Sequence, residues 1–336
     1  MKPGSIRFIL AFTVILFHIT KLVFLGHFAV CCFFILSGYW ITFMYQKKYV
    51  KFKNPLFVFY ISRIWRLFPV FLLFNLLGGV FTYFYNPGIF QALSTFSALK
   101  ITGYIFSNIF LLGFNHITPV FLIPAWSLDI EFQFYLIYPA LLSWLCKLNY
   151  KAFIGVILLA VLINLVFAKG FISKTLLYYI AFFLIGILIY LKNLTFNKNI
   201  ESGALILFVL ILATNYLIPG LRKITVGNNA TDYNMYLNET LPLLIIPAIS
   251  NSVRIKSSKF DRLLGDISYV MYLCHWVLII PYNFYIKGIS FSQRVPYSLV
   301  YLVLTLLLSY IIYKYYDKPI DSYRRGWVDS NEKLYK

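Results

Sequence analysis

Arg7 and His18 lie in the first apolar segment of the chain, and no ionisable residue separates them. Eleven helical steps of about 100° return to nearly the same direction, so both side chains are predicted to share a helix face, about 16 Å apart along the axis. A guanidinium binds phosphate, and an imidazole removes protons from hydroxyl groups. The pair therefore indicates acid–base chemistry and an anion site on the same helix face, because ionisable groups in apolar segments are costly and usually functional. The simpler alternatives are a snorkelling arginine and a histidine in a helix–helix hydrogen bond.

Arg63 and Arg66 form a second basic motif, in the segment Tyr60-Ile-Ser-Arg-Ile-Trp-Arg-Leu-Phe-Pro69. A spacing of three residues places both guanidiniums on one face of a helix. Two planar forks at the start of a helix suit a phosphate or pyrophosphate ligand. The alternative is that both arginines only anchor a helix at the cytoplasmic side of a membrane.

The segment that begins at residue 126 combines acids, an amide and aromatic rings. Its candidate residues are Trp126, Asp129, Glu131, Gln133 and Tyr135. Glu131 and Tyr135 are four residues apart and therefore share a helix face. An acid near the start of a helix complements the helix dipole, which accounts for Asp129 without a functional role. It accounts less well for Glu131 and Gln133, which lie deeper in the segment.

His275 lies in the middle of a later apolar segment. It is either a substrate-binding residue or a structural histidine that bonds a neighbouring helix. His27 and His116 are predicted to be structural. None of the four cysteines has the spacing of zinc ligands, so no metal is expected.

The composition restricts the elements that can position these residues. Hydrophobic residues are 61% of the 336 residues and charged residues only 12%, against about 45–50% and about 25% in soluble domains. This excludes a soluble domain, a disordered chain and a coiled coil, and it predicts a polytopic membrane protein. The net charge of +19 does not indicate a nucleic-acid partner, because no basic stretch extends beyond short loops.

Eleven apolar runs are candidates for membrane spans. They are Ile6–Leu25, Phe28–Tyr45, Ile64–Tyr85, Ile101–Phe114, Trp126–Leu145, Ala152–Phe167, Lys174–Leu191, Gly203–Ile218, Leu241–Val253, Ile267–Ile286 and Tyr297–Tyr315. If Ile101–Phe114 does not cross and residue 1 is cytoplasmic, 22 of the 30 Lys and Arg residues are inside and 8 outside. If it crosses, the split is 14 and 16. The positive-inside rule favours the first arrangement, with ten spans and both termini cytoplasmic.

Ile101–Phe114 is then predicted to be a re-entrant or interfacial helix. Irregular backbone at that depth is tolerated only where protein or a wet cavity covers it, so a cavity is expected on the outer side. The predicted fold class is all-α, a polytopic membrane protein of about ten transmembrane helices around a central cavity. Residues 1–320 are predicted to form one membrane domain and residues 321–336 a cytoplasmic tail.

The motifs occur in an order that resembles a known family. After Arg7-x10-His18 come Phe33-Phe-Ile-Leu-Ser-Gly-Tyr39, Arg63-Ile-Trp-Arg66, Trp126-Ser-Leu-Asp-Ile-Glu-Phe-Gln-Phe-Tyr-Leu-Ile-Tyr-Pro139, Phe182-Phe-Leu-Ile-Gly186, Ser268-Tyr-Val-Met-Tyr-Leu-Cys-His275 and Asp317-Lys-Pro319. Each motif alone is weak. Together they resemble the acyltransferase 3 family of integral membrane acyltransferases, from Arg7 to Pro319. Asp317 departs from the pattern, since glutamate often precedes the final proline.

The resemblance implies an enzyme that transfers an acyl group, usually acetyl, from cytoplasmic acyl-CoA to a hydroxyl of an extracytoplasmic glycan or its lipid-linked precursor. It implies a location in the cytoplasmic membrane of a bacterium. The family's histidine and first-helix arginine fall on His18 and Arg7. Its paired arginines fall on Arg63 and Arg66, and its glutamate falls on Glu131.

The motifs and the resemblance together predict the following roles. Arg7, Arg63 and Arg66 hold the CoA phosphates. His18 removes the proton from the acceptor hydroxyl, or is itself transiently acylated. Glu131 orients His18 or binds the sugar. The expected substrate-binding residues are Trp126, Asp129, Gln133, Tyr135 and His275.

The expected partners are acyl-CoA, the glycan acceptor and the lipid bilayer, and the oligomeric state stays open. A transporter or flippase of a lipid-linked sugar is the alternative, since it would also be polytopic and aromatic-rich. It is disfavoured because the sequence shows no inverted repeat and no paired broken spans. A non-catalytic scaffold would leave the shared face of Arg7 and His18 unexplained.

Overall fold

The computed structural model describes residues 1–20, 22–91, 93–167, 170–226 and 231–333, with the backbone alone for 332 and 333. Over these residues the structure is all-helical and contains no β-strand, which confirms the predicted all-α class. Lys21 and Lys169, which entered the charge count, lie outside the described residues. So do residues 334–336 of the predicted tail.

Fourteen α-helices occur in the described part of the chain. They are α1 (Pro3–Ile19), α2 (Gly26–Lys47), α3 (Pro55–Tyr85), α4 (Gly88–Gln91), α5 (Ala98–Phe110), α6 (Trp126–Leu145), α7 (Tyr150–Val166), α8 (Leu176–Leu191), α9 (Lys198–Leu217), α10 (Pro219–Thr225), α11 (Asp232–Ser252), α12 (Lys259–Tyr285), α13 (Val295–Ile312) and α14 (Lys318–Lys333). Each of the eleven predicted apolar runs overlaps one of these helices, and the predicted run at α6 has the observed bounds.

Several helices are suited to a membrane. Among the described residues, five helical segments are long and apolar enough to cross one: Gly26–Lys51, Pro55–Tyr85, Lys198–Leu217, Lys259–Tyr285 and Ser292–Asn331. The helices α1, α7 and α8 are apolar but shorter. These helices are compatible with a multi-pass membrane protein, and the count of ten spans stays a prediction.

The helix α1 ends earlier than predicted. The apolar run Ile6–Leu25 predicted a longer helix, but Thr20 is extended and its N–H closes the last turn on the carbonyl of Leu16. The rest of the apolar run is used for the connection to α2. His18 therefore lies in the last turn of α1 and not in the interior of a longer helix.

The helix α5 is the element predicted to be re-entrant or interfacial. Its 13 residues span about 20 Å, less than the ~30 Å hydrocarbon core of a bilayer. It packs against α3, where the side-chain amide of Asn75 donates to the backbone carbonyl of Asn108 over 3.1 Å. Its position relative to a membrane stays a prediction.

The chain forms two compact units, and each is discontinuous in sequence. The first comprises Met1–Trp40 and Phe182–Tyr272, and the second comprises Ile41–Ala181 and Leu273–Lys336. Within the first unit, α1 packs against α11, and α9 packs against α10 and α11. A Cβ at Gly186 would lie 2.0 Å from the carbonyl oxygen of Ile35, so this motif glycine permits close packing of α8 on α2.

Within the second unit, α14 packs along α3. It continues α13 through one π-helical turn, Tyr313–Asp317. The predicted boundary at residue 320 falls inside α14, so the described part of the segment predicted as a tail is a helix packed on α3. Its cytoplasmic location stays a prediction.

Candidate active site

Arg63 lies on α3 in the second unit, surrounded by aromatic rings. Its guanidinium carbon is 5.8, 6.0 and 5.9 Å from the ring centres of Tyr49, Phe59 and Tyr135. One terminal nitrogen donates to the Tyr49 hydroxyl over 3.1 Å. Among the described residues, its buried Nε has no hydrogen-bond partner and no carboxylate pairs with it. A largely enclosed cation without a counter-ion can bind an anionic group of a ligand.

Arg66, almost one turn further along α3, has a different environment. Its Nη1 lies 3.1 and 3.3 Å from the two carboxylate oxygens of Asp317. Asp317 is buried and belongs to the π-helical turn that precedes α14. Arg66 is therefore balanced by a carboxylate of the protein, whereas within the described part of the chain Arg63 is not. The three-residue spacing predicted one shared role for the two arginines, but their surroundings differ.

Glu131 and Tyr135 share a face of α6, as their spacing predicted. The Tyr135 hydroxyl donates to the Glu131 carboxylate over 2.7 Å, and the ring of Tyr135 faces the guanidinium of Arg63. The second unit thus brings the predicted catalytic glutamate and one predicted donor-binding arginine to the same tyrosine.

Asp129 and Gln133 hold backbone segments in place. The carboxylate of Asp129 accepts hydrogen bonds from the N–H groups of Gly113 and Asn115 and from the amide of Gln133, at 3.2, 3.0 and 2.9 Å. The carbonyl oxygen of Gln133 accepts from the N–H of Leu176 at the start of α8. Both residues therefore have structural roles, and a role in binding the acceptor stays a prediction.

Trp126 and His275 differ in exposure. The indole ring of Trp126 is half-buried against the ring of Tyr179, 5.4 Å between centres. His275 is 0% exposed, and its backbone carbonyl accepts from the Tyr301 hydroxyl over 2.8 Å. Complete burial favours the structural interpretation of His275.

In the first unit, the first turn of α1 is tied to Asp261 of α12. The N–H groups of Gly4 and Ser5 donate to its carboxylate at 3.1 and 2.8 Å, and the Ser5 hydroxyl does so at 2.8 Å. Asp261 thereby satisfies groups that a helix start leaves unpaired. A Cβ at Gly265 would lie 3.8 Å from a terminal nitrogen of Arg7, so Arg7 lies against α12.

His18 lies at the other end of α1. The helix is continuous from Pro3 to Ile19, so the predicted separation of about 16 Å along the axis from Arg7 holds. The His18 ring is half-buried, with its centre 4.9 Å from that of Phe17. A Cβ at Gly26 would lie 2.5 Å from the same Phe17 ring. Phe17, whose ring contacts that of His18, therefore packs against the start of α2.

A second imidazole of the first unit pairs with an acid that the sequence analysis missed. Nε2 of His27 lies 3.2 Å from a carboxylate oxygen of Glu239, which is buried. The amide oxygen of neighbouring Asn238 accepts from the N–H of Phe28, so α11 holds the start of α2. The only sequence signal was an acid inside an apolar helix.

Arg324 was also missed. It is buried on α14 and donates to the hydroxyl of Ser62 over 2.7 Å. Two further nitrogens of its guanidinium donate to Asp321, at 3.0 and 2.7 Å. Residues 321–336 were predicted only as a cytoplasmic tail, so no site residue was expected there.

The long apolar helices are compatible with an integral membrane protein, and the polar clusters enclosed between them can hold reacting groups. Residues 5–314 match the acyltransferase 3 family, described as an acyltransferase domain. The chain belongs to this family and is an acyltransferase, as the order of its motifs predicted.

One curated relative is the peptidoglycan O-acetyltransferase OatA of Listeria monocytogenes serovar 1/2a (strain ATCC BAA-679 / EGD-e). It is 33% identical over 159 residues, which cover 43% of this chain and 25% of the relative. The match thus spans about a quarter of that protein's length. No solved structure matches the chain.

Proposed function

We propose that this protein is an O-acetyltransferase that moves an acetyl group from cytoplasmic acyl-CoA to a hydroxyl of a cell-envelope glycan or its lipid-linked precursor. Membership of the acyltransferase 3 family supports acyl transfer. Similarity to a protein named as a peptidoglycan O-acetyltransferase supports acetyl as the group and a glycan as the acceptor.

The proposed donor site rests on the hydrogen-bond and charge partners of Arg63. Its guanidinium has no carboxylate partner among the described residues, and its Nε has no hydrogen bond there. A phosphate of acyl-CoA supplies both the missing charge and the missing acceptor. Arg66 and Arg7 are the other residues assigned to the donor phosphates.

The chemistry assigned to His18 is general-base catalysis. Its imidazole removes the proton from the acceptor hydroxyl, and the oxygen attacks the thioester carbonyl. The carbon–sulfur bond breaks, the proton passes to the departing sulfur, and the products are the acetylated glycan and CoA. In the alternative that the sequence left open, the imidazole attacks first and carries the acetyl group before the hydroxyl takes it.

Glu131 is assigned to the acceptor. Its carboxylate accepts a hydrogen bond from the Tyr135 hydroxyl, and because a carboxylate can accept several hydrogen bonds at once, a sugar hydroxyl can donate to the same group. We further propose that ten helices span the membrane around a central cavity and that both termini lie in the cytoplasm of a bacterium. Donor and acceptor then approach from opposite sides of the membrane.

The test is acetyl transfer by purified protein in detergent, with radiolabelled acetyl-CoA and peptidoglycan fragments as acceptor. The expected result is labelled glycan and an equal amount of free CoA, both lost in His18→Gln. A flippase would release no CoA and would move a lipid-linked sugar across proteoliposomes. That second outcome would replace the enzyme hypothesis.

A further inference from the structure

The described part of the C-terminal helix α14 reaches the donor-site arginine through an unbroken series of hydrogen bonds. Nη1 of Arg324 donates to the Ser62 hydroxyl over 2.7 Å. The Ser62 and Tyr49 hydroxyls are 2.7 Å apart and share a hydrogen bond. The Tyr49 hydroxyl accepts from Arg63 over 3.1 Å. A pair of hydroxyls thus lies between two guanidiniums, with one guanidinium donating at each end.

The hydroxyl pair is enclosed by protein. Ser62 is 0% exposed and Tyr49 is 1% exposed, so water does not compete for these hydrogen bonds in this conformation. Each guanidinium must donate, because it has no lone pair to accept with. The orientation of Tyr49, and through it that of Arg63, therefore depends on what donates to Ser62.

The two guanidiniums differ in how their charges are balanced. Arg324 is paired with Asp321, which also lies 2.6 Å from Arg325. Arg63 has no such carboxylate among the described residues. Only Arg63 is thus available to an anion, while Arg324 is occupied by groups of the protein.

Aromatic side chains of α14 pack against Trp65 of α3. The ring of Tyr323 stacks on Trp65 with 5.3 Å between centres, and the ring of Trp327 lies 5.7 Å from Trp65. Trp65 lies between the two arginines of α3 in sequence. The part of α14 that carries Arg324 is therefore held against the same stretch of α3.

We infer that Arg324 is a positioning residue of the donor site: through Ser62 and Tyr49 it orients Arg63 so that Nε of Arg63 is presented to a donor phosphate. The inference rests on the proposed donor site and goes beyond it, because Arg324 lies outside residues 5–314 that match the family. The ligand at this site is a phosphate of acyl-CoA. Arg324 affects the binding of that phosphate without contacting it.

The experiment measures CoA binding to the purified full chain by isothermal titration calorimetry. Arg324→Ala is expected to weaken CoA binding roughly tenfold. This is less than the largest loss expected when a charge-assisted hydrogen bond to the phosphate is removed, because Arg63 itself is still present. Arg325→Ala is the matched control, since Arg325 shares Asp321 but is exposed and does not reach Ser62. It is expected to bind CoA as the unmodified protein does.

A double-mutant cycle separates positioning from a general loss of stability. If Arg324 acts through the hydroxyl pair, Ser62→Ala weakens CoA binding similarly, and the double variant Ser62→Ala with Arg324→Ala is no weaker than either single variant. Additive losses would overturn the inference. If Arg324→Ala fails to fold, Ser62→Ala alone carries the test, and unchanged CoA binding by that variant would overturn it.

The failure of the inference is distinguishable from the failure of the donor site. If Arg63→Ala weakens CoA binding while Arg324→Ala matches Arg325→Ala, the donor site stands and the role of Arg324 is wrong. If Arg63→Ala binds CoA normally, the donor site itself is wrong and the inference is overturned with it.

Discussion

The carboxylate of Asp317 lies 3.1 Å from the guanidinium of Arg66. The ion pair is mostly enclosed, with side-chain exposures of 5% and 20%. Removing one partner of such a pair leaves a charge in a poorly hydrated place, which is strongly destabilising. The two arginines of the Arg63-Ile-Trp-Arg66 motif therefore respond differently to substitution.

Arg63→Ala is expected to weaken CoA binding by about 1.5–3 kcal/mol, the worth of a charge-assisted hydrogen bond, with little change in stability. Arg66→Ala is expected to weaken binding and also to lower the thermal midpoint, because Asp317 loses its cation. Titration calorimetry and thermal unfolding of both variants measure the two effects. Adding Asp317→Asn to Arg66→Ala should restore stability without restoring affinity. Equal thermal midpoints for the two single variants would contradict the distinction.

His18→Gln is expected to lower turnover by about 10²–10⁴, the range for general-base catalysis, because an amide cannot take up the proton. CoA binding should be unchanged, since Arg7 lies about three turns away along α1. The assay is acetyl transfer together with CoA titration. His116→Gln makes the same chemical change at a ring that stacks on Phe171, and it should keep near-normal turnover. Near-normal turnover of His18→Gln would refute the assignment.

Glu131→Gln is expected to reduce acetyl transfer strongly. Tyr135→Phe is expected to have a smaller effect and to reduce acetyl transfer by about tenfold. The phenylalanine keeps the ring beside Arg63 but loses the hydroxyl that donates to Glu131, and one hydrogen bond to a charged group is worth about 1.5–3 kcal/mol. The measurement is kcat and KM for the acceptor in both variants. If Glu131→Gln retains full activity, the carboxylate has no role in the reaction.

Position 222 is expected to be extracytoplasmic and position 151 cytoplasmic, because this arrangement gives the 22-to-8 split of basic residues. Both side chains are exposed. An impermeant thiol reagent added to whole cells should label Arg222→Cys and not Lys151→Cys. The background needs Cys146→Ser, because Cys146 is the exposed cysteine. Labelling of position 151 alone would reverse the predicted orientation.

Gly4→Ala is expected to destabilise the protein by about 1–3 kcal/mol, the usual range for overpacking. A Cβ at position 4 would lie 1.8 Å from the backbone carbonyl oxygen of Asp261, which cannot rotate away. Gly103→Ala is the control, since nothing lies within 4 Å of its Cβ and alanine favours the helix by about 0.5–1 kcal/mol. The thermal midpoint should fall only in the first variant, and a fall of similar size in both would contradict the close contact.

The sequence was sufficient for features that depend on one helix. Apolar runs identified eleven helices, and the four-residue spacing identified the contact of Glu131 with Tyr135, because helical periodicity relates neighbours on the same helix. The family order of the motifs identified the enzyme class.

Pairs of distant residues were not predictable in this way. Asp317 and Arg66 are 251 positions apart, and Arg324 and Ser62 are 262 apart. No periodicity connects such positions. The helix α14 was predicted only as a tail, because its sequence is polar and the contacts that pack it are made with a distant helix. Its charges pair within the helix, and its aromatic rings contact α3.

The hydrogen bonds between the start of α1 and Asp261 also have a consequence for the order in which the helices assemble. The N–H of Gly4 finds its acceptor 257 positions later in the chain. During synthesis, α1 is made before α12, and the first turn of α1 has no access to that carboxylate until α12 has been made. A helix that is made early is thus completed by one that is made much later. A chain truncated before residue 261 would carry α1 with these N–H groups left to water or to other partners.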